Sequence, residues 1–174
     1  MKKFIVVCII CCGCVNNLSA FDLVRIRTLF FQSVTNAESL EQSFHLLKVV
    51  TVKDQPVFQG YKGMCYMMMA NHAINPFIKY KYFKIGKGQL EEAIRIDVNS
   101  IELRFLRLTI QTNVPSILNY AENITADKQL ILKSLHLMKD EDFKIKIANY
   151  LINKELCNDL EKMEIFNLIT LQGN

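Results

Sequence analysis

Turn chemistry is scarce in this chain: three prolines and six glycines are spread over 174 residues, and tryptophan is absent. So few turn formers cannot punctuate a many-stranded sheet, which needs a glycine- or proline-rich turn every eight to twelve residues or so. After the first twenty or so residues no apolar run reaches the roughly 18 that a membrane-spanning helix requires. The net charge of +4 is modest and partly sits in the first residues, so charge makes no case for nucleic-acid binding. The motifs of familiar chemistry are missing as well. No G-x-S-x-G, H-E-x-x-H or P-loop occurs, and Gly60-Tyr61-Lys62-Gly63 is too little to cradle phosphate. His45, His72 and His136 fall on separate predicted helices with no shared spacing. These absences favour an interaction or scaffold role over catalysis, with no cofactor expected.

What is present begins at the N-terminus. Lys2 and Lys3 precede an uncharged apolar run from Phe4 to Val15. That run is about a dozen residues long, too short to cross a bilayer, and with its basic start it describes a secretory signal peptide over residues 1–20. Two processing routes are open. Leu18-Ser19-Ala20 ends in the small residue that signal peptidase needs, which would leave Phe21 first. Alternatively Cys11-Cys12-Gly13-Cys14 resembles a lipobox and makes Cys14 a lipid acceptor, although the usual leucine three residues earlier is Cys11 here. Either route implies export from a bacterial cytoplasm, with the periplasm or cell envelope of a Gram-negative bacterium as the expected destination. Four of six cysteines lie in this leader, so only Cys65 and Cys157 remain in the body. An oxidising compartment permits them to pair, and the alternative is two buried free thiols.

The body, residues 21–174, is 51% hydrophobic when taken with the leader, ample for a packed core. Its apolar residues recur at helical spacing. Leu23, Ile26, Phe30 and Val34 form one stripe, and Leu40, Phe44, Leu47 and Val50 a second, predicting a hairpin over 22–34 and 36–51. Thr35-Asn36-Ala37-Glu38 fits a capping box between them, with Thr35 as the cap. Asp54 with Pro56, and Asn75 with Pro76, each read as a cap followed by a first-turn proline. The stretch Ile78 to Tyr82 alternates apolar and basic residues, which is also a strand period. The cap before it and Leu90-Glu91-Glu92-Ala93-Ile94 after it favour helix, with Gly86 and Gly88 expected to loosen or kink it. Asn99-Ser100-Ile101-Glu102 caps a further helix. Residues 114–124 form the longest irregular connection, and helices follow near 126–138, 141–154 and after Asn158. Asp140-Glu141-Asp142 suits the positive end of a helix rather than a cation site. Asn123-Ile124-Thr125 is a glycosylation sequon only in a eukaryotic secretory pathway. The expectation is one all-α domain of about eight helices in antiparallel hairpins.

Leu90 to Glu102 resembles the junction between two tetratricopeptide repeats. Ala93 matches the small residue of the second repeat helix, and Asp97 and Asn99 flank the turn, while Val98 stands where that family has proline. Gly60, Tyr61, Gly63 and Tyr66 resemble a first repeat helix. Roughly ten extra residues, Pro76 to Phe83 among them, lengthen the unit beyond the usual 34. More loosely, the whole chain resembles small exported proteins of Bacteroidota-type bacteria. The resemblances imply a tetratricopeptide-like central part, an envelope location, and a helical surface that binds a protein or peptide partner.

Two constellations carry possible chemistry. Cys65, Met68, Met69 and His72 fall at i, i+3, i+4 and i+7 on one helical face, a thiol, thioether and imidazole set that suits a soft metal such as Cu(I). That set makes a periplasmic copper or small-ligand binder the alternative function. Its bland counterpart is core filling by adaptable methionines. Lys79, Tyr80, Lys81, Tyr82, Lys84 and Lys87 interleave bases with aromatics, a pattern for a partner surface, set against a helix whose lysines simply snorkel into water.

Overall fold

The computed structural model describes residues 20–50 and 55–170. The leader, with its alternative processing at Ala20 or Cys14, lies outside the described residues apart from Ala20 itself, and so does Asp54. Among the described residues there are eight α-helices and no strand: α1 (Ala20–Gln32), α2 (Ala37–Leu47), α3 (Pro56–His72), α4 (Pro76–Ile96), α5 (Ile101–Gln111), α6 (Ile124–Ser134), α7 (Glu141–Asn153) and α8 (Asp159–Thr170). Short 3₁₀ turns occupy Ser116–Leu118 and Leu135–Leu137. Successive helices from α1 to α6 pack on one another, as do α7 and α8, and α3 with α4 form the most extensive pair. Among the described residues no helix is long and apolar enough to cross a membrane.

The caps are sequence-local and shift two expectations by one residue. Asn36, not Thr35, caps α2, its side-chain oxygen accepting from the Glu38 and Ser39 amides. Ser100, not Asn99, caps α5 by accepting from the Leu103 amide. In both cases an adjacent short polar side chain had the better reach to the orphan amides. Asn75 caps α4 with Pro76 in its first turn, as the sequence predicts. Gln55 stands at the start of α3 without a side-chain cap bond. Asn158 and Glu161 bond each other's backbone amides at 2.9 Å, a reciprocal box that starts α8.

Helix α4 runs unbroken for 21 residues through Gly86 and Gly88. The purpose of Gly86 is proximity. A Cβ placed on Gly86 would lie 2.5 Å from the Gly63 carbonyl oxygen, and one on Gly63 would lie 2.7 Å from the Gly86 oxygen. The two helices therefore cross backbone against backbone, which only glycine permits.

Helix α5 organises the interior. Leu103 and Leu106 face a core made with α1 to α4 and Tyr120, whereas Phe105 and Leu108 face a second core made with α6, α7 and α8. Phe31 packs on both, with its ring 5.5 Å from Phe30 and 6.2 Å from Phe143. Ala93, on which the repeat resemblance turns, is fully buried. Cys65 lies in the first core and Cys157 in the second, and both are free thiols.

Candidate functional site: an apolar groove beside two buried charge networks

Because α5 is buried on both sides, its polar residues need partners inside. Arg27 of α1 meets Glu102 through two bonds, Nε to Oε1 at 2.7 Å and Nη2 to Oε2 at 2.5 Å, while its third arm reaches Asp140 at the start of α7. The Tyr61 hydroxyl donates to the same carboxylate at 2.7 Å, and the Phe143 ring lies beneath the guanidinium at 4.3 Å. A parallel set surrounds Arg107. It clasps Asp127 of α6 with two bonds of 2.7 Å and Glu91 of α4 with a third. Tyr120 donates to Glu91, and Arg104 adds a bond to Asp127.

Burial works against both guanidinium charges, but the bonded carboxylates override it and hold both groups firmly protonated. Burial, reinforced by the neighbouring carboxylates, lifts the Tyr61 and Tyr120 phenols well above the ordinary range. All three arms of Arg27 and of Arg107 are directed at carboxylates of their own set, while Arg104 also donates to the Val98 carbonyl and Asp140 also accepts from the Phe143 amide. They pin α1, α3, α5 and α7, and α4, α5 and α6.

A groove of about 480 Å³ opens instead between α3, the first half of α4, and the end of α5 with the connection that follows it. From α4, Pro76, Lys79, Tyr80 and Phe83 line it at i, i+3, i+4 and i+7, one helical face. Met67, Met68 and Ala70 supply a wall from α3, with Asn71 at its end. Ile110, Val114, Ile117 and Leu118 form the opposite wall. Lys79 is the only formally charged residue of the lining, so the groove is apolar with a few polar groups at its edge, the usual make-up of a binding cleft.

The four residues of the soft-metal pattern all lie on α3 but differ in burial and partners. Cys65 is fully buried, its sulfur 3.5 Å from the Ser43 hydroxyl of α2, and burial pushes its thiol up to about 11. Met68 accepts from the Ser33 hydroxyl in the turn after α1 and lines the groove, Met69 is half-buried against the core, and His72 is exposed at the end of α3. Among the described residues no three His, Cys, Asp or Glu are grouped to hold a metal ion.

The basic-aromatic stretch is also divided. Lys79 and Tyr80 line the groove, Lys81 and Lys84 are exposed, Tyr82 turns inward to Tyr66 with ring centroids 6.2 Å apart, and Lys87 lies over the Tyr120 ring at 4.2 Å. The sequence reading missed the groove wall supplied by residues 110–118, because an irregular segment carries no periodicity to show which side chains face inward. No family model matches the chain, and no curated protein or solved structure shows significant similarity to it.

Proposed function

We propose that this chain is a non-enzymatic, exported helical scaffold that seats a segment of a protein partner in the groove between α3, α4 and α5. The observation that carries the reading is the groove lining: two flexible thioethers, buried Met67 and half-buried Met68, with buried Phe83 and half-buried Ile110 and Leu118. Methionine adapts its shape at low cost and suits a surface that receives apolar side chains. The turning of every buried charge toward another charge, rather than toward the groove, favours binding over catalysis. The tetratricopeptide-like reading of α3 to α5, with Ala93 as its small packing residue, agrees with such a role.

A photo-crosslinking amino acid at Tyr80 or Ile117, in the cell that makes the protein, tests the proposal. The expected result is one discrete adduct shared by both positions, and none from Phe166 on α8. No adduct at either groove position, or the same adducts at Phe166, overturns it. Mass determination of the mature chain tests export: a start at Phe21 or a lipidated Cys14 agrees with it, and an intact Met1 does not.

A further inference from the structure

The outer side of α4 carries a different message from its groove side. Residues 74–81 are exposed without interruption, and they include Ile74 at 99% exposure, Phe77 at 83% and Ile78 at 46%. Single exposed apolar residues are ordinary, but three large ones within five positions, just before and within the first turn of α4, mark a contact site. Phe77, Lys81 and Lys84 follow at i, i+4 and i+7, so aromatic and bases share one stripe. The charge there has one sign: from Gln55 to Leu90 the chain contains no aspartate or glutamate. The first acids of α4 are already engaged, Glu91 by Arg107 and Tyr120, and Glu92 by Arg95. Lys81 and Lys84 form no ion pair among the described residues.

We propose that this helix-turn tip docks on an anionic lipid surface, with Ile74 and Phe77 entering the interface and Lys81 and Lys84 meeting headgroup phosphates. Shape decides between possible occupants. A peptide anchor needs a groove, whereas a convex tip inserts, and a bilayer interface receives apolar side chains to a depth of about 5–10 Å. A second copy placed symmetrically on the tip would set Lys81 and Lys84 against their own like charges. An anionic membrane supplies the opposite charge, and each lysine near it contributes a factor of about five in binding. The inference is independent of the groove, which uses the neighbouring face of the same helix.

The absence of tryptophan makes the test clean. In the full chain, Phe77→Trp provides a single emitter at the tip, and Phe166→Trp, on half-exposed α8, a matched control. With vesicles of phosphatidylglycerol and phosphatidylcholine, Trp emission from position 77 is expected to shift to the blue and to be quenched by brominated acyl chains. Position 166 should do neither. Adding Lys81→Gln and Lys84→Gln should weaken the response about twenty-five-fold, and pure phosphatidylcholine should give little response. No shift at position 77, equal quenching at position 166, or indifference to both headgroup and lysines overturns the proposal. So does a shift that grows with protein concentration alone, which would mean a second copy, or one produced by an acidic amphipathic peptide but not by vesicles.

Discussion

Arg27 and Glu102, separated by 75 positions in the chain, close a two-pronged ion pair in the interior, and the Tyr61 hydroxyl joins it from a third helix. With side-chain exposures of 14% and 10%, neither partner has much water to fall back on. Removing one is therefore worse than removing all. Glu102→Ala should cost about 3–5 kcal/mol in urea unfolding, because it strands the guanidinium and the phenol together. The triple change Arg27→Met, Tyr61→Phe, Glu102→Leu should recover most of that loss. Asp140 would still cap α7 through the Phe143 amide. A triple variant as unstable as Glu102→Ala would show that the network contributes more than the avoidance of orphaned charge.

The glycines of α4 separate two roles two residues apart. Gly86→Ala, and its counterpart Gly63→Ala, set a methyl against a backbone carbonyl that cannot swing aside, at a cost of about 1–3 kcal/mol. Gly88→Ala meets nothing within 4 Å and should gain about 0.5–1 kcal/mol from helix propensity. In a chain of this size each kcal/mol moves the melting temperature by about 2–4 °C, so thermal unfolding resolves the opposite signs. Destabilisation by all three changes would reject the close crossing.

This contrast marks where the sequence was legible. Apolar spacing and the Asn75-Pro76 start placed eight helices, because caps and periodicity are local. Position 86 read as a loosening point, since close approach to Gly63 depends on a helix more than twenty positions earlier. The Arg27–Glu102 pair was invisible for the same reason. Arg27 and Glu102 each look like ordinary surface residues of an amphipathic helix, and only the burial of α5 on two sides turns them inward. The candidate site was half legible. Met68, Lys79 and Tyr80 do line the groove, but periodicity grouped Met68 with Cys65 and His72, which do not line it.

Alkaline pH should weaken the fold more than mild acid does. Cys65, lifted by burial to about 11 from an ordinary 9.0, keeps its proton in the folded state where the unfolded chain has lost it. The resulting stability is complete below pH 9 and is lost as pH rises toward 11. The buried phenols of Tyr61 and Tyr120, raised in the same sense, extend the loss to higher pH. Urea midpoints should be level near neutrality and fall above pH 9. Cys65→Ala should flatten the first part of that fall, whatever its effect on stability at neutral pH. An unchanged slope would mean that the thiol is solvated in solution.

Met68 sets the soft-metal reading against the groove reading at one atom. Its sulfur accepts from Ser33 at 3.1 Å, and that hydroxyl also reaches the Phe30 carbonyl, so loss of the thioether orphans nothing. Met68→Leu preserves volume and should cost less than about 1.5 kcal/mol. A leucine keeps the groove wall apolar, so crosslinking from Tyr80 should persist. Met68→Lys extends a charge toward the groove and should abolish crosslinking with little change in melting. Cu(I) provides the opposing arm. Cys65 is enclosed and protonated while His72 is out in water, so ligation would require α3 to leave its packing against α2. Cu(I) should accordingly leave the melting temperature of the wild type unchanged. A rise that is lost in both Met68→Leu and His72→Gln would restore the four-residue metal face and remove Met68 from the argument for a partner groove.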